Sequence, residues 1–435
     1  MNSVCHYCKG ESHRATDKPC QDRAYAETSK HLSMAIVCDG HGGSRYFRSQ
    51  FGAALAVDIT RTAVKRFVED MTQSSFTPKA TTSVFDKAPF TTYSAATATE
   101  QQERTNAHKA LKWLFSHIIT QWNQEVAKHA RETDLSEWEI EHVEQQYKDE
   151  FLRMRDTQDA SFEKTYGCTL MAYVQTQTYW FAFHIGDGKC ISMRLVDGDL
   201  VCEQPIPWDE KCFLNKTTSL CDSNAVEEFR YCYQGDGTFP SAVFLGSDGI
   251  DDTFGDGDIL NNFYIRLFKN IILQGKEKTE RELSKSLPII SQRGSKDDMS
   301  VACVYNDTGL STMFRRLTAY QQEVLKRDLA MAEDKQMQLE QKINDFGDPE
   351  ALDRTQTINL EYAKKDLLKT EEQIQTLKRQ MGDLKRESVE FQNKSGSKRL
   401  HNNVSNGLFR FLRPRRLFRF LRPRGLFRFS QPRKK

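Results

Sequence analysis

No stretch of this 435-residue sequence is apolar for long enough to cross a bilayer, and Met1 to Gly10 lacks the charged-then-apolar order of a signal peptide. These absences exclude the integral-membrane and secreted classes and lead to the expectation of a soluble, cytoplasmic protein. A completed zinc motif is also missing. Cys5 and Cys8 have knuckle spacing, but only His6, His13 and Cys20 lie nearby, and no second Cys/His pair supplies the remaining ligands. The eleven cysteines are odd in number and sit in strand-like apolar segments such as Ile36-Val37-Cys38 and Val301-Ala302-Cys303. They read as reduced, buried thiols rather than a disulfide framework. Net charge is scarce overall, at +2, but not locally: Leu408 to Lys435 holds eleven Lys/Arg and no acid, which leaves the rest of the chain acidic.

What is present divides the chain into three parts. Strand-like runs at His31 to Cys38, Thr169 to Gln175, Tyr179 to Ile185, Cys190 to Leu195, Glu228 to Gln234, Ala242 to Ser247 and Met299 to Tyr305 predict a sheet system. The turns Gly186-Asp187-Gly188 and Asp197-Gly198-Asp199 suit antiparallel neighbours. A helical insertion is expected at about 68–160, with apolar residues at helical spacing such as Leu111, Leu114, Phe115 and Ile118, and a helical pair at Ile259 to Leu273 and Thr279 to Ser291. The expected fold class for 1–310 is therefore α+β, an antiparallel sheet system covered by helices.

From Leu325 onward apolar residues recur at alternating steps of four and three, through Leu329, Ala332, Leu339 and Ile343, and again from Leu360 through Ala363, Leu367, Ile374 and Leu377. Gly347-Asp348-Pro349 stands between the two runs, so 314–391 is expected to be an antiparallel coiled-coil hairpin with arms roughly 50 Å long. A coiled-coil partner or self-association would follow. The remaining segment, 392–435, contains a nine-residue repeat starting at Leu408 with prolines at 414, 423 and 432, and is expected to be a disordered basic tail. Its arginines interleaved with Phe409, Phe411, Phe418 and Phe420 suit an anionic membrane or nucleic acid. A merely duplicated stretch of coding sequence is the equal alternative.

The chemistry concentrates at three strand ends. Ala35 to Cys38 runs into Asp39-Gly40-His41-Gly42-Gly43, Ala242 to Gly246 runs into Ser247-Asp248-Gly249, and Asp297-Asp298 opens the run from Met299. A strand end holds a carboxylate rigidly and glycine lets a backbone carbonyl approach a cation, so these segments form a candidate oxygen-ligated site suited to Mg²⁺ or Mn²⁺.

These segments, in this order, together with Cys20-Gln21-Asp22, Gly167-Cys168-Thr169 and Ile185-Gly186-Asp187-Gly188, resemble the protein phosphatase 2C family, in its bacterial form, over roughly residues 8–305. The resemblance implies a β-sandwich flanked by helices and hydrolysis of phosphoserine and phosphothreonine in a phosphoprotein substrate, in a signalling role. It implies two Mg²⁺ or Mn²⁺ ions, with Asp39 bridging, the carbonyl of Gly40 on one ion, Asp248 and Asp297 on the other, and Asp22 holding a water or ligand. His41 would donate a proton to the departing oxygen. Asp251, Asp252 and Asp298, with Gln21, are candidates for a third ion or for supporting contacts. Asp187 reads as a hairpin residue, and Cys212 to Cys221, including Asn215 to Thr218, falls where the family carries a variable flap.

Two departures stand out. Gln21 occupies the place of a family glutamate, and Asp17 falls where the family has its phosphate-binding arginine, leaving Arg14 or Lys18 as substitutes. Gln21 keeps a second reading open, a catalytically weak pseudophosphatase scaffold working through its coiled coil and tail.

Overall fold

The apolar strand ahead of Asp39 is buried on both faces, and its residues divide by parity: Met34, Ile36 and Cys38 join one core, Ala35 and Val37 another. Because side chains alternate across a strand, it must lie between two packed layers. The computed structural model describes residues 1–72, 83–157, 161–213 and 216–396. The strands are β1 (Asn2–Cys8), β2 (Arg23–Thr28), β3 (Ser33–Cys38), β4 (Thr91–Tyr93), β5 (Leu170–Gln175), β6 (Trp180–Ile185), β7 (Lys189–Val196), β8 (Asp199–Glu203), β9 (Arg230–Gln234), β10 (Ala242–Gly246) and β11 (Met299–Tyr305). They form a five-stranded sheet in the order β1-β11-β10-β7-β8 and a six-stranded sheet in the order β2-β3-β5-β6-β9-β4. The strand pairs whose register is resolved are antiparallel.

Between the sheets lies a core of Ala35, Val37, Met171, Tyr173 and Trp180 from one layer and Val243, Leu245, Ala302 and Val304 from the other. The helices of this unit are α1 (Glu11–Ala15), α2 (Ser49–Thr72), α3 (Glu100–Glu103), α4 (Asn106–Glu132), α5 (Glu137–His142), α6 (Gln145–Arg155), α7 (Ala225–Glu228), α8 (Asp248–Phe254), α9 (Asp258–Gln274) and α10 (Lys276–Arg293). Helices α2 and α4 bury Val64, Phe67, Leu111, Phe115 and Trp122 against the outer face of the six-stranded sheet. On the other sheet Phe244 meets Tyr264 and Phe268 of α9. The result is the expected helix-covered antiparallel α+β sandwich.

Several boundaries differ from the sequence reading. Four strands escaped it: β1, β2, β4 and β8. Strand β2 is only half-buried throughout and so carries no hydrophobic alternation, while β4 is three residues long and sits inside the segment read as wholly helical. Helix α2 starts well before the expected insertion. The largest correction concerns Gly186-Asp187-Gly188, which is not a hairpin: β6 belongs to the six-stranded sheet and β7 to the five-stranded one, so this turn crosses between layers. Asp197-Gly198 is the tight hairpin, with φ of 53° and 91° at its two central residues. All eleven cysteines are free thiols, most of them buried, and among the described residues Cys5 and Cys8 join no group of metal-binding side chains. No described helix is long and apolar enough to cross a membrane.

A second compact unit comprises, among the described residues, Val196–Leu200 and the chain from Gly309 to Gly396. It contains α11 (Leu310–Asn344) and α12 (Arg354–Gly396), antiparallel, with Phe314 stacked on Phe391 at 3.9 Å and Glu333 paired with Lys378 at 2.9 Å. Ala332, Ile374 and Leu377, all expected at the seam, form its core with Leu325 and Leu329. Helix α12 continues to Gly396, past the expected start of the tail at 392. The rest of the tail, including the repeats, and Asn215 of the flap lie outside the described residues.

Candidate active site

One pocket gathers the strand-end motifs: Asp39, Gly40, His41, Asp248 and Asp297 all line it. The loop after β3 is fastened from behind by the segment before β5. Thr169 N donates to Asp39 O (2.8 Å), Asp39 N to Thr169 Oγ1 (3.1 Å), and His41 N to Gly167 O (3.1 Å). Gly40 cannot carry a side chain, because a Cβ there would lie 2.9 Å from both the Gln21 and the Ser49 carbonyl oxygens. At α8 a Cβ on Gly249 would lie 2.0 Å from the Asp298 carbonyl, so glycine lets the helix start that bears Asp248 dock against the start of β11.

Charge crowds this pocket. Burial, reinforced by Asp22 and Asp248, pushes Asp39 well above the usual carboxylate range. Asp248 is raised by burial to about 7 and comes within hydrogen-bonding reach of Asp39. Asp22 lies beneath the pocket rather than on its wall, fully buried, raised by burial and by Asp298, and accepting from Ser247 Oγ at 2.7 Å. Asp298 behaves oppositely. Burial would raise it, but His13 and the amides of Gly10 and Gln21, both at 2.6 Å, outweigh that and hold it below the usual range.

Gln21 is buried on the pocket wall, with Nε2 donating to the His41 carbonyl at 3.0 Å and to Ser49 Oγ. Since a carbonyl only accepts, the amide orientation is fixed, and Oε1 is left buried without a partner. Buried carboxylates pressed together, a backbone carbonyl and an orphaned amide oxygen form a donor set that fits hard divalent cations.

The other sequence candidates separate. Asp251 is raised by burial to about 8 and pairs with Lys189 at 3.4 Å, whereas Asp252, the more exposed of the two, is raised by its partial burial and then by repulsion from Asp187 and Asp297. Asp187, expected to be a hairpin residue, lines the pocket instead. Its turn is held by Arg230, whose Nη2 donates to Gly186 O (2.5 Å) and Nη1 to Pro207 O (2.9 Å), and by Gly186 N donating to Thr218 Oγ1 (3.0 Å). Arg14 is exposed and is not on the pocket wall, while Lys18 donates to Gly42 O at 2.6 Å and feels Asp297 and Asp298.

His41 stands edge-on to Tyr46 at 4.8 Å, its Nε2 lying 2.7 Å from Ser219 Oγ. Ser219 Oγ donates to Cys168 O at 3.1 Å, so it accepts Nε2–H and leaves the lone pair of the neutral ring on Nδ1. Burial lowers His41 to about 4. Sequence reasoning missed Ser219, and it considered His13 only as a neighbour of Cys5 and Cys8. His13 lines the pocket from α1. No spacing pattern connects either residue to the strand-end motifs.

No curated protein matches the chain. Among solved structures, PppA of Pseudomonas aeruginosa aligns over 70% of this chain and 96% of its own at 16% identity, with a TM-score of 0.37. The serine/threonine phosphatase Stp1 of Staphylococcus aureus aligns over 71% and 95% at 14% identity and a TM-score of 0.37. The catalytic domain of the phosphatase PstP, solved with two manganese ions, aligns over 69% and 96% at 13% identity and a TM-score of 0.37. In sequence, the family model for protein phosphatase 2C matches residues 9–288, which is more than half of the chain and spans the loop of Asp39, the crossing turn and α8. The chain belongs to the protein phosphatase 2C family.

Proposed function

We propose that this chain is a metal-dependent serine/threonine protein phosphatase that hydrolyses phosphoserine and phosphothreonine in protein substrates. The observation that carries the reading is the convergence of Asp39, Asp248 and Asp297, from three separate strand ends, in one pocket with His41. Asp39, the Gly40 carbonyl, Asp248 and Asp297 would hold two divalent cations, Mg²⁺ or Mn²⁺. Such cations, when bound, supply positive charge toward a phosphoryl group and its attacking water.

In the reaction a water oxygen forms the new bond to phosphorus while the bond to the serine or threonine oxygen breaks. The departing alkoxide then needs a proton. His41 is within the pocket and its ring is fixed by Ser219, so its Nδ1 lone pair is placed to take up a proton lost by the attacking water and pass it to the departing oxygen. Lys18, held against Gly42, is the better placed of the two candidate cations to meet the substrate phosphate.

The test is hydrolysis of a phosphothreonine peptide with and without Mn²⁺. Asp39→Asn and Asp248→Asn are each expected to lose orders of magnitude in Mn²⁺-dependent turnover. His41→Ala should slow the peptide far more than p-nitrophenyl phosphate, whose leaving group needs little protonation. Turnover without added cation that survives chelation, or near-wild-type turnover in either aspartate variant, would overturn the reading.

A further inference from the structure

The group of metal-binding side chains that the described residues bring together is not the expected oxygen set. One atom each from His13, Asp297 and Asp298 lies within 4.8 Å of the others, on the side of the pocket formed by α1 and the start of β11. Two further observations point to something between them.

The first is His13 itself. It is 9% exposed, and its Nδ1 is buried without a hydrogen-bond partner. Nδ1 sits 2.9 Å from Asp298 Oδ1, close enough to help hold that carboxylate below its usual range. That separation also matches the edge of a coordination octahedron, about 3.0 Å for bonds of about 2.1 Å. A nitrogen and an oxygen bound to one cation have this separation.

The second is Gln21 Oε1, a buried acceptor without a partner on the wall of the same pocket, fixed there because Nε2 is committed to the His41 carbonyl. Protonating His13 would satisfy the imidazole but not this oxygen. Lys18, which interacts electrostatically with both acids, is bonded to Gly42 O instead. Asp298 is held in place by the amides of Gly10 and Gln21, one on each oxygen, which orients it and still leaves each oxygen a second lone pair.

We propose that His13, Asp297 and Asp298 hold a divalent transition cation in a mixed nitrogen and oxygen site. Imidazole ligation favours Mn²⁺, Fe²⁺, Co²⁺ or Zn²⁺ and disfavours Mg²⁺, which prefers oxygen and water. This rim of the pocket therefore discriminates between cations that an all-oxygen centre would accept alike. The binding itself does not depend on the phosphatase reading; its consequence, a preference for Mn²⁺ over Mg²⁺ in turnover, does.

The test uses the full-length protein stripped with EDTA and loaded with Mn²⁺ alone. Electron spin echo envelope modulation should detect an imidazole ¹⁴N coupled to Mn²⁺, and excess Mg²⁺ should not displace that ion as readily as the others. His13→Ala should abolish the coupling and remove one bound Mn²⁺ per chain in equilibrium dialysis. Asp39→Asn should keep it. A wild-type spectrum without nitrogen coupling at saturating Mn²⁺ overturns the proposal and needs no variant to fold. So does coupling that persists in His13→Ala. Peptide hydrolysis by a protein that lacks the coupling leaves the phosphatase reading intact; coupling without hydrolysis leaves only this site.

Discussion

At position 21 the fold requires a donor as well as an acceptor, because the side-chain amide reaches the His41 carbonyl and Ser49 Oγ together. A glutamate there would aim an anion at a carbonyl oxygen and leave Ser49 short of a donor. Gln21→Glu is therefore expected to destabilise the cation-free protein by about 1–3 kcal/mol, with less loss in Mn²⁺, where a carboxylate gains a counter-charge. Urea midpoints measured with EDTA and with Mn²⁺ check this. An unchanged cation-free midpoint would count against the assigned amide orientation. The residues of the pocket differ in how readable they were. Asp39, His41, Asp248 and Asp297 announce themselves because each sits at a strand end beside glycine or a second acid. His13 does not, since only the pairing of β1 with β11 and the 288-residue span from Gly10 to Asp298 bring it to the pocket.

Helices α4 to α6 reach the site through one buried ion pair. The side chains of Arg48 and Glu139 are 0% and 1% exposed, with Nε to Oε1 at 2.8 Å, and Arg48 also donates to the carbonyls of Thr133 and Asp134 and to Tyr166. Arg48 adjoins Ser49, which donates to the His41 carbonyl, so the insertion braces the loop of Asp39 from one residue away. Glu139→Gln leaves a buried guanidinium without its counter-ion and is expected to cost about 3–5 kcal/mol, whereas Arg48→Met combined with Glu139→Leu should cost less than Glu139→Gln alone. Urea unfolding of the three proteins decides; a double variant as unstable as the single one would show that packing, not charge, is lost.

On the opposite side, the Arg230 cluster that holds the crossing turn includes His184, whose Nδ1 accepts from Nη2 at 3.2 Å. Burial, then Arg230, holds His184 well below its ordinary value, so the native state keeps it neutral. The unfolded chain binds a proton below about pH 6.5 that the native state refuses, and stability drains away as pH falls through that point. His184→Asn keeps an acceptor for Arg230 but cannot titrate, so its midpoint should fall less between about pH 7 and about pH 5.5. Parallel pH profiles for the two proteins would remove His184 from the acid response. That turn was misread in the sequence because Gly-Asp-Gly suits a hairpin and a layer crossing equally; which it becomes depends on sheet partners contributed from elsewhere in the chain.

Among the described residues the last strand ends at Tyr305 and the second unit resumes at Gly309. A protein ending near Thr312 is expected to fold and to show the same Mn²⁺-dependent hydrolysis as that proposed for the full chain, and an insoluble product, or one inactive where the full chain is active, would show that the first unit needs the helical hairpin. The hairpin was legible because its apolar period is local, repeating every three or four residues within one helix. The sandwich was legible only in its hydrophobic strands, since the position of each strand within a sheet is set by contacts between distant parts of the chain.

The five-stranded sheet has a consequence for how the protein is made. Its last-synthesised strand, β11, is not at an edge but sits between β1 and β10. While a ribosome is still short of Tyr305, β1 has no partner in this sheet and β10 presents an open flank, two sticky strand edges waiting for one insertion. A chain stalled before Asp297 would carry most of the pocket and yet be unable to close it. For this protein, then, interrupted translation is expected to yield a product prone to pairing with its neighbours rather than a weakened form of the folded chain.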